Sequence, residues 1–404
     1  MVRRSGSFLG HDGLDAPDAP SIDSVTAGDA QVSVAFTAGT AGTTATTGFV
    51  AQVSTDGTNY SAGSNTGTSS PIVVSSLTNG TAATAKVWAI NAHGTSEPGA
   101  ASSSFTPVPL QRGIFAGGYV APVTNIIEFI SIHTTGNVTD FGNLTATKAN
   151  LGAVSSSTRG CFAGDGNALL NEIEYITIDT EGNATDFGNL IQTNSSQGGT
   201  SNGTRGVFYG GYDGNPNRTN RIEYITIANT GNSTDFGDLA NSGTDSAQGM
   251  INSTTRGIIA AHDSGTNRTN DIEYITIANT GNSTNFGDLT NTRNKNAGVG
   301  NATRGVICGG STGGNGTDTM DYITIASTGN AQDFGDLNVP SAQGAGCSSP
   351  TRGVIGTGLN GSGSRVNSIE YITIGTTGNG TDFGNLSGTR DQYGSLSNCH
   401  GGIA

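Results

Sequence analysis

Three segments of this chain carry the side chains best suited to chemistry: GYDGNPNRTNRIEY, HDSGTNRTNDIEY and STGGNGTDTMDY, beginning at Gly211, His262 and Ser311. They supply carboxylates at Asp213, Asp263 and Asp318, amides at Asn215 and Asn267, and guanidiniums at Arg218 and Arg268. Such groups on turns hydrogen-bond the hydroxyls of sugars, and carboxylate and amide oxygens together can ligate Ca²⁺. The alternative for each residue is a solvated turn. These segments differ most in length and chemistry among otherwise similar stretches, and loops carried on a rigid scaffold are where binding resides.

Catalytic constellations are harder to find. His11, His93, His133, His262 and His400 share no HxH or HExxH spacing, and Cys161, Cys308, Cys347 and Cys399 form no CxxC pair. No G-x-S-x-G elbow sits between a strand and a helix. A pair of glycosidase carboxylates, roughly 5 to 10 Å apart, would have to come from distant segments, and nothing nominates them. The expectation is a protein without catalysis, cofactor or metal.

Other reactive side chains recur. An Arg-Gly pair stands at Arg112, Arg159, Arg205, Arg256, Arg304 and Arg352. An aromatic in EYITI-like segments recurs at Phe129, Tyr175, Tyr224, Tyr274, Tyr322 and Tyr371, with spacings of 46, 49, 50, 48 and 49 residues. A DFG-like segment follows with Phe141, Phe187, Phe236, Phe286, Phe334 and Phe383, preceded by Asp140, Asp186, Asp235, Asp333 and Asp382, with Asn285 as the exception. Arg and Asp should emerge at one end of a four-stranded unit, which predicts either Arg-to-Asp pairs or Asp residues capping their own turns. Asn137, Asn183, Asn232, Asn282 and Asn379 lie in GNxT, where the fixed hairpin position predicts turn chemistry rather than glycosylation.

The elements that position these residues are short strands. Each repeat holds a Gly-rich stretch, an RGVFYGG-like strand, an IEYITI-like strand with apolar Ile and Tyr set against Glu and Thr, and the DFG strand. A four-stranded sheet of about 48 residues cannot bury both faces alone, but six packed radially can, so residues 108–404 are expected to form a six-bladed β-propeller. The chain ends in TRDQYGSLSNCHGGIA, which is expected to supply the inner segment that the first repeat lacks. Residues 18–107 alternate as a seven-stranded β-sandwich, and residues 1–17 form a flexible arm or a docking peptide with Arg3, Arg4, Phe8 and Leu9 as contacts.

Composition agrees with an all-β chain: 64 glycines, 12% charged residues and no apolar stripe of helical period. A formal charge of -14 with 17 Lys and Arg argues against nucleic acid as partner. No stretch reaches the roughly 18 apolar residues of a membrane span, and the amino-terminal residues lack a secretory apolar core.

The segment LTNGTAATAKVWAINAHGTSEPG, Leu77 to Gly99, resembles the end of a fibronectin type III domain, with Ala83 and Phe36 where that family has tyrosine and tryptophan, so the core is expected to close through Trp88. The repeats resemble kelch repeats, with diglycines at Gly117-Gly118, Gly210-Gly211 and Gly309-Gly310 and phenylalanine in place of the usual tryptophan. NSTDFGD, with Ser233 and its counterpart Ser283, resembles the structural Asp-box turn of sialidases. The combination resembles virion structural proteins of tailed bacteriophages, marine cyanophages in particular. That resemblance implies a non-enzymatic tail or capsid appendage, assembled in the host cytoplasm, whose partners are other virion proteins and a host-surface glycan or protein. Homo-oligomeric assembly is compatible with it. The alternatives are a secreted bacterial adhesin or carbohydrate-binding accessory protein, and a propeller glycoside hydrolase.

Overall fold

The computed structural model describes residues 15–166, 168–214, 218–241, 251–261, 263, 268–313 and 315–399. All regular structure among them is β, in several antiparallel sheets without a helix. The expected contacts Arg3, Arg4, Phe8, Leu9, Asn215 and Asn267, and the loop residue His262, lie outside the described residues. The chain divides into an N-terminal domain, Met1–Leu110, and a C-terminal domain, Gln111–Ala404.

The described residues of the N-terminal domain form seven strands: β1 (Ser21–Gly28), β2 (Gln31–Thr37), β3 (Gly48–Ser54), β4 (Gly63–Gly67), β5 (Ile72–Val74), β6 (Thr84–Asn91) and β7 (Gly94–Thr95). They pair as β1-β2-β5 and β4-β3-β6-β7. Strict alternation in β2, β3 and β6 sends Val32, Val34, Phe36, Ala51, Val53, Ala85 and Val87 into one core, as the pleat requires. Trp88 does not close that core. It falls on the opposite parity of β6, on the outer face, where its ring meets Tyr60 edge-on at 6.2 Å and Lys86 covers Tyr60 at 4.7 Å. Phe36 and Phe49, 4.8 Å apart, and Phe105 fill the interior instead.

In the C-terminal domain the second repeat shows the pattern: Gly152–Ser155, Arg159–Asp165, Leu170–Thr177 and Thr185–Asn189 pair in chain order. The first repeat takes its fourth strand from the far end of the chain, Gly394–Ser397 pairing antiparallel with Arg112–Ala116. In the fourth repeat three strands are described, Arg256–Ala260, Asp271–Thr276 and Thr284–Asp288. The described Gly-rich first strands are buried, and their small residues let neighbouring sheets approach: a Cβ on Gly199 would stand 2.0 Å from the Ala153 carbonyl oxygen.

Each repeat meets the next through the same recurring contacts, and each series returns from the sixth repeat to the first. The Arg of the Arg-Gly pair donates to an isoleucine carbonyl one repeat ahead: Arg112 to Ile178, Arg159 to Ile227, Arg205 to Ile277, Arg256 to Ile325, Arg304 to Ile374 and Arg352 to Ile132. These guanidiniums lie 4.2 to 4.5 Å above the aromatic of their own third strand, a cation–π arrangement. That aromatic meets the DFG phenylalanine edge-on at 6.0 to 6.2 Å. The DFG glycine has φ between 138° and 154°, and a Cβ there would stand 2.2 to 2.6 Å from the carbonyl oxygen of the next TGN-like glycine. Only glycine admits both the conformation and the contact.

Two expectations are corrected here. The arginines do not pair with Asp140, Asp186, Asp235, Asp333 or Asp382; all five carboxylates are exposed, and no ion pair joins the two sets among the described residues. A carbonyl one repeat ahead lies within reach of the guanidinium, which therefore stacks and donates across the seam. The GNxT asparagines likewise act between repeats: Asn137, Asn183, Asn232, Asn282 and Asn379 accept from backbone N–H groups of the preceding repeat, and Asn330, in GNAQ and outside any sequon, does the same.

The third strand also departs from simple alternation. Its acidic residue, Glu128, Glu174, Glu223, Glu273, Asp321 or Glu370, is 2% exposed or less. Each accepts backbone N–H groups of the preceding repeat, from Ser387, Thr145, Ile191, Ala240, Thr290 and Asn338 in that order. Ser233 and Ser283 donate to Glu223 and Glu273. Three of the carboxylates also meet a buried cation: Lys148 with Glu174 at 2.8 Å, Arg293 with Asp321 at 3.0 Å, and Arg390 with Glu128 at 2.5 Å.

Candidate functional site

In an antiparallel four-stranded unit, the turns after the second and fourth strands fall at one end of the sheet and the remaining turns at the other. The far end carries the arginine and TGN seams. The near end carries the variable segments, and the recessed surfaces lie there.

The turn after each fourth strand must reverse sharply into the buried inner strand of the next repeat. In the five such turns among the described residues it does so through one left-handed residue: Asn150, Ser196, Lys295, Gln343 and Gln392 have φ between 57° and 60°. Each such residue other than glycine costs about 1 kcal/mol. These turns are bonded in series. The Gln343 N–H donates to the Lys295 carbonyl at 2.9 Å, Gln392 to Gln343 at 2.8 Å, Asn150 to Gln392 at 2.7 Å and Ser196 to Asn150 at 2.9 Å.

The five side chains line a basin of about 340 Å³ with Ser195, Tyr212 and Arg218. Several hold one another in place. Asn150 Nδ2 donates to Gln392 Oε1 at 3.1 Å. The Gln343 amide is oriented to donate to Asp391 Oδ2 at 2.7 Å and to accept from Lys295 Nζ at 2.9 Å. Asp391 in turn accepts from Arg365 Nε at 2.6 Å, and Arg365 stacks on Tyr119. Burial pushes the Asp391 carboxyl above the ordinary range, and Arg365 opposes that shift.

Of the residues singled out in the sequence, three converge. Arg218 lines the basin, and its Nη2 lies 3.9 Å from Asp263 Oδ2. Asn294, next to Lys295, donates to Asp263 at 2.5 Å and accepts from Arg268 Nε at 3.1 Å. Asp213 is elsewhere, in a shallow recess of about 610 Å³ with Asn171, Gln192 and Thr193. Asp318 is exposed near the start of a strand and lines none of these recesses. Sequence reading missed Asn150, Ser196, Lys295, Gln343 and Gln392. The available signal was positional: four of them stand nine residues before an Arg-Gly pair while their identity changes at every repeat.

A larger cleft of about 780 Å³ separates the Val120–Ile126 region from Arg365 and the Ser387–Arg390 turn. Among the described residues no group of three His, Cys, Asp or Glu is placed to hold a metal. The thiols are buried in or beside strands and burial pushes them up, Cys161 to about 12, so they are inert. Among its described residues the basin carries no carboxylate, histidine or thiol, and offers hydrogen bonds and positive charge. The sequence matches no protein-family model and no curated protein.

Proposed function

We propose that the C-terminal domain is a six-bladed, kelch-like β-propeller, that residues 18–107 form a fibronectin type III-like sandwich, and that the chain is a non-enzymatic virion protein. In this reading it is a tail or capsid appendage that presents one end of the propeller to the host surface. The seam contacts that return from the sixth repeat to the first support the propeller. The virion setting rests on the sequence resemblance alone.

The observation that carries the binding role is the difference between the two ends. One end repeats the same arginine, glycine and asparagine contacts six times and is spent on cohesion. The other varies its side chains between repeats, with Asn, Ser, Lys and Gln at the matching turn position, and gathers them around a polar basin. A rigid scaffold with a varied end is the arrangement of a recognition surface.

The full-length chain, applied to whole host cells and to a broad glycan panel, should show saturable binding that weakens when Arg218 is replaced by alanine. Absence of surface binding, with capture of purified tail or capsid proteins instead, would leave an internal decoration protein as the better account.

A further inference from the structure

The described lining of the basin presents positive charge, with Asp263 3.9 Å from Arg218 and Asp391 bonded to Gln343 behind it. Acidic residues outnumber Lys and Arg 31 to 17, yet the described lining contains two cations, Lys295 and Arg218, and no acid. Its remaining lining is amide or hydroxyl bearing: Asn150, Gln343, Gln392, two serines and Tyr212.

The backbone adds an independent argument. Glycine enters the left-handed region without penalty. Most left-handed positions among the described residues are glycine, and the four non-glycine ones outside the basin, Ala30, Ser76, Leu169 and Ala261, share no common place in the repeat, whereas all five basin turns carry a polar side chain at the matching position: Asn, Ser, Lys, Gln and Gln. Polar side chains at five matching positions suited to glycine point to a use for the side chains themselves. The volume of about 340 Å³ lies at the small end of ligand pockets, of a size for one sugar unit rather than an extended chain.

We infer that this basin binds one acidic sugar unit, with Lys295 and Arg218 taking its carboxylate or sulfate and the surrounding amides taking its hydroxyls. The inference rests on the surface-binding reading above and names its ligand class. Arg offers a planar fork to an oxyanion and Lys a mobile point charge, so the pair accepts an acid group while Asn150, Gln343 and Gln392 present both donors and acceptors to a ring of hydroxyls.

The test is calorimetric titration of the full-length chain with sodium glucuronate, glucose 6-sulfate, glucose and inorganic sulfate. Glucuronate or the sulfated sugar should bind saturably, at least about tenfold tighter than glucose, and more weakly as salt is added. Lys295→Gln and Arg218→Gln should each lower that affinity about tenfold or more, Lys295→Arg should retain it, and the exposed change Asp382→Asn should leave it unchanged. Thermal melts of each variant separate lost binding from lost fold. Equal affinity for glucose, equal affinity for sulfate alone, or wild-type affinity in both folded Gln variants would overturn the inference. Cell binding that free glucuronate does not compete would overturn this site while leaving the surface role standing. Glucuronate binding without cell binding would do the reverse.

Discussion

Glu128, Glu174 and Asp321 occupy the same strand position as Glu223 and Glu370, and all five are buried, but their surroundings differ. The first three face Arg390, Lys148 and Arg293. Glu223 and Glu370 are served by backbone amides, with a serine hydroxyl for Glu223 and the Asn338 side chain for Glu370. The difference originates four residues after the leucine that closes each DFG-like segment. That position holds Lys148, Arg293 and Arg390 in the repeats preceding the first group, and Asn194 and Ser341 in those preceding the second. Burial and partnership are therefore set by different repeats: one places the carboxylate and its neighbour decides whether a cation meets it. For Lys148, burial alone would lower the ammonium, but Glu174 and Glu172 hold it above its ordinary value. Burial raises the carboxyls of Glu223 and Glu370 above theirs, with the amide bonds opposing.

The most severe way to break this comparison is to end the chain at Gly388. That removes Arg390 from Glu128 and the Gly394–Ser397 strand from the first repeat. The expected outcome is loss of cooperative unfolding across the whole C-terminal domain, read by circular dichroism melts, rather than loss of one repeat.

Arg390→Met isolates the electrostatic part. Leaving Glu128 buried without its cation should cost about 3–5 kcal/mol in denaturant unfolding. The double variant with Glu128→Gln should recover a large share, because it removes the stranded charge. A double variant no more stable than Arg390→Met alone would show that packing, not charge, holds this position.

The arginine seam should be less sensitive. Arg205→Ala removes the stacking on Tyr224 and two bonds, to the Ile277 and Ala278 carbonyls, for a loss of about 1–3 kcal/mol. Arg112→Ala should cost less, since Arg112 stacks on Phe129 and its carbonyl bond to Ile178 is 3.2 Å long.

The smallest effect sharpens the comparison by reversing sign. Because the folded state raises the Glu223 carboxyl, that group contributes most below the ordinary glutamate value of 4.5 and loses its contribution as pH rises through the raised value. Glu223→Gln should therefore raise the melting temperature by a few degrees at neutral pH, and the gain should vanish as pH falls toward 4.5. A destabilised Glu223→Gln at pH 7 would mean that the charged form is the favoured one.

Much of the architecture was legible in the chain. Three sets of residues at a shared spacing defined six repeats, and the unmatched terminal segment identified the strand that pairs with Arg112–Ala116. Side-chain partners were less legible. Arg and Asp at one end of a sheet suggested mutual pairing, but an isoleucine carbonyl one repeat ahead lies within reach of each guanidinium. Trp88 suggested a core residue by size, whereas its parity on β6 puts it outside, a case where the period of two should have outweighed bulk.

The basin shows the limit from the other side. Asp213 and Asp318 drew notice on the variable segments together with Arg218, Asp263 and Arg268, yet only the last three meet, with Lys295 beside them. By itself the sequence determined what depends on local pattern: the period of the strands, their order and the glycines that close approach demands. The tertiary structure decided what depends on contacts between repeats about 48 residues apart: which carboxylates meet a cation, where each arginine donates, and which five left-handed side chains share one basin. Local pattern sets the direction of a side chain from its own strand, but its partners come from whichever neighbour the packing brings alongside.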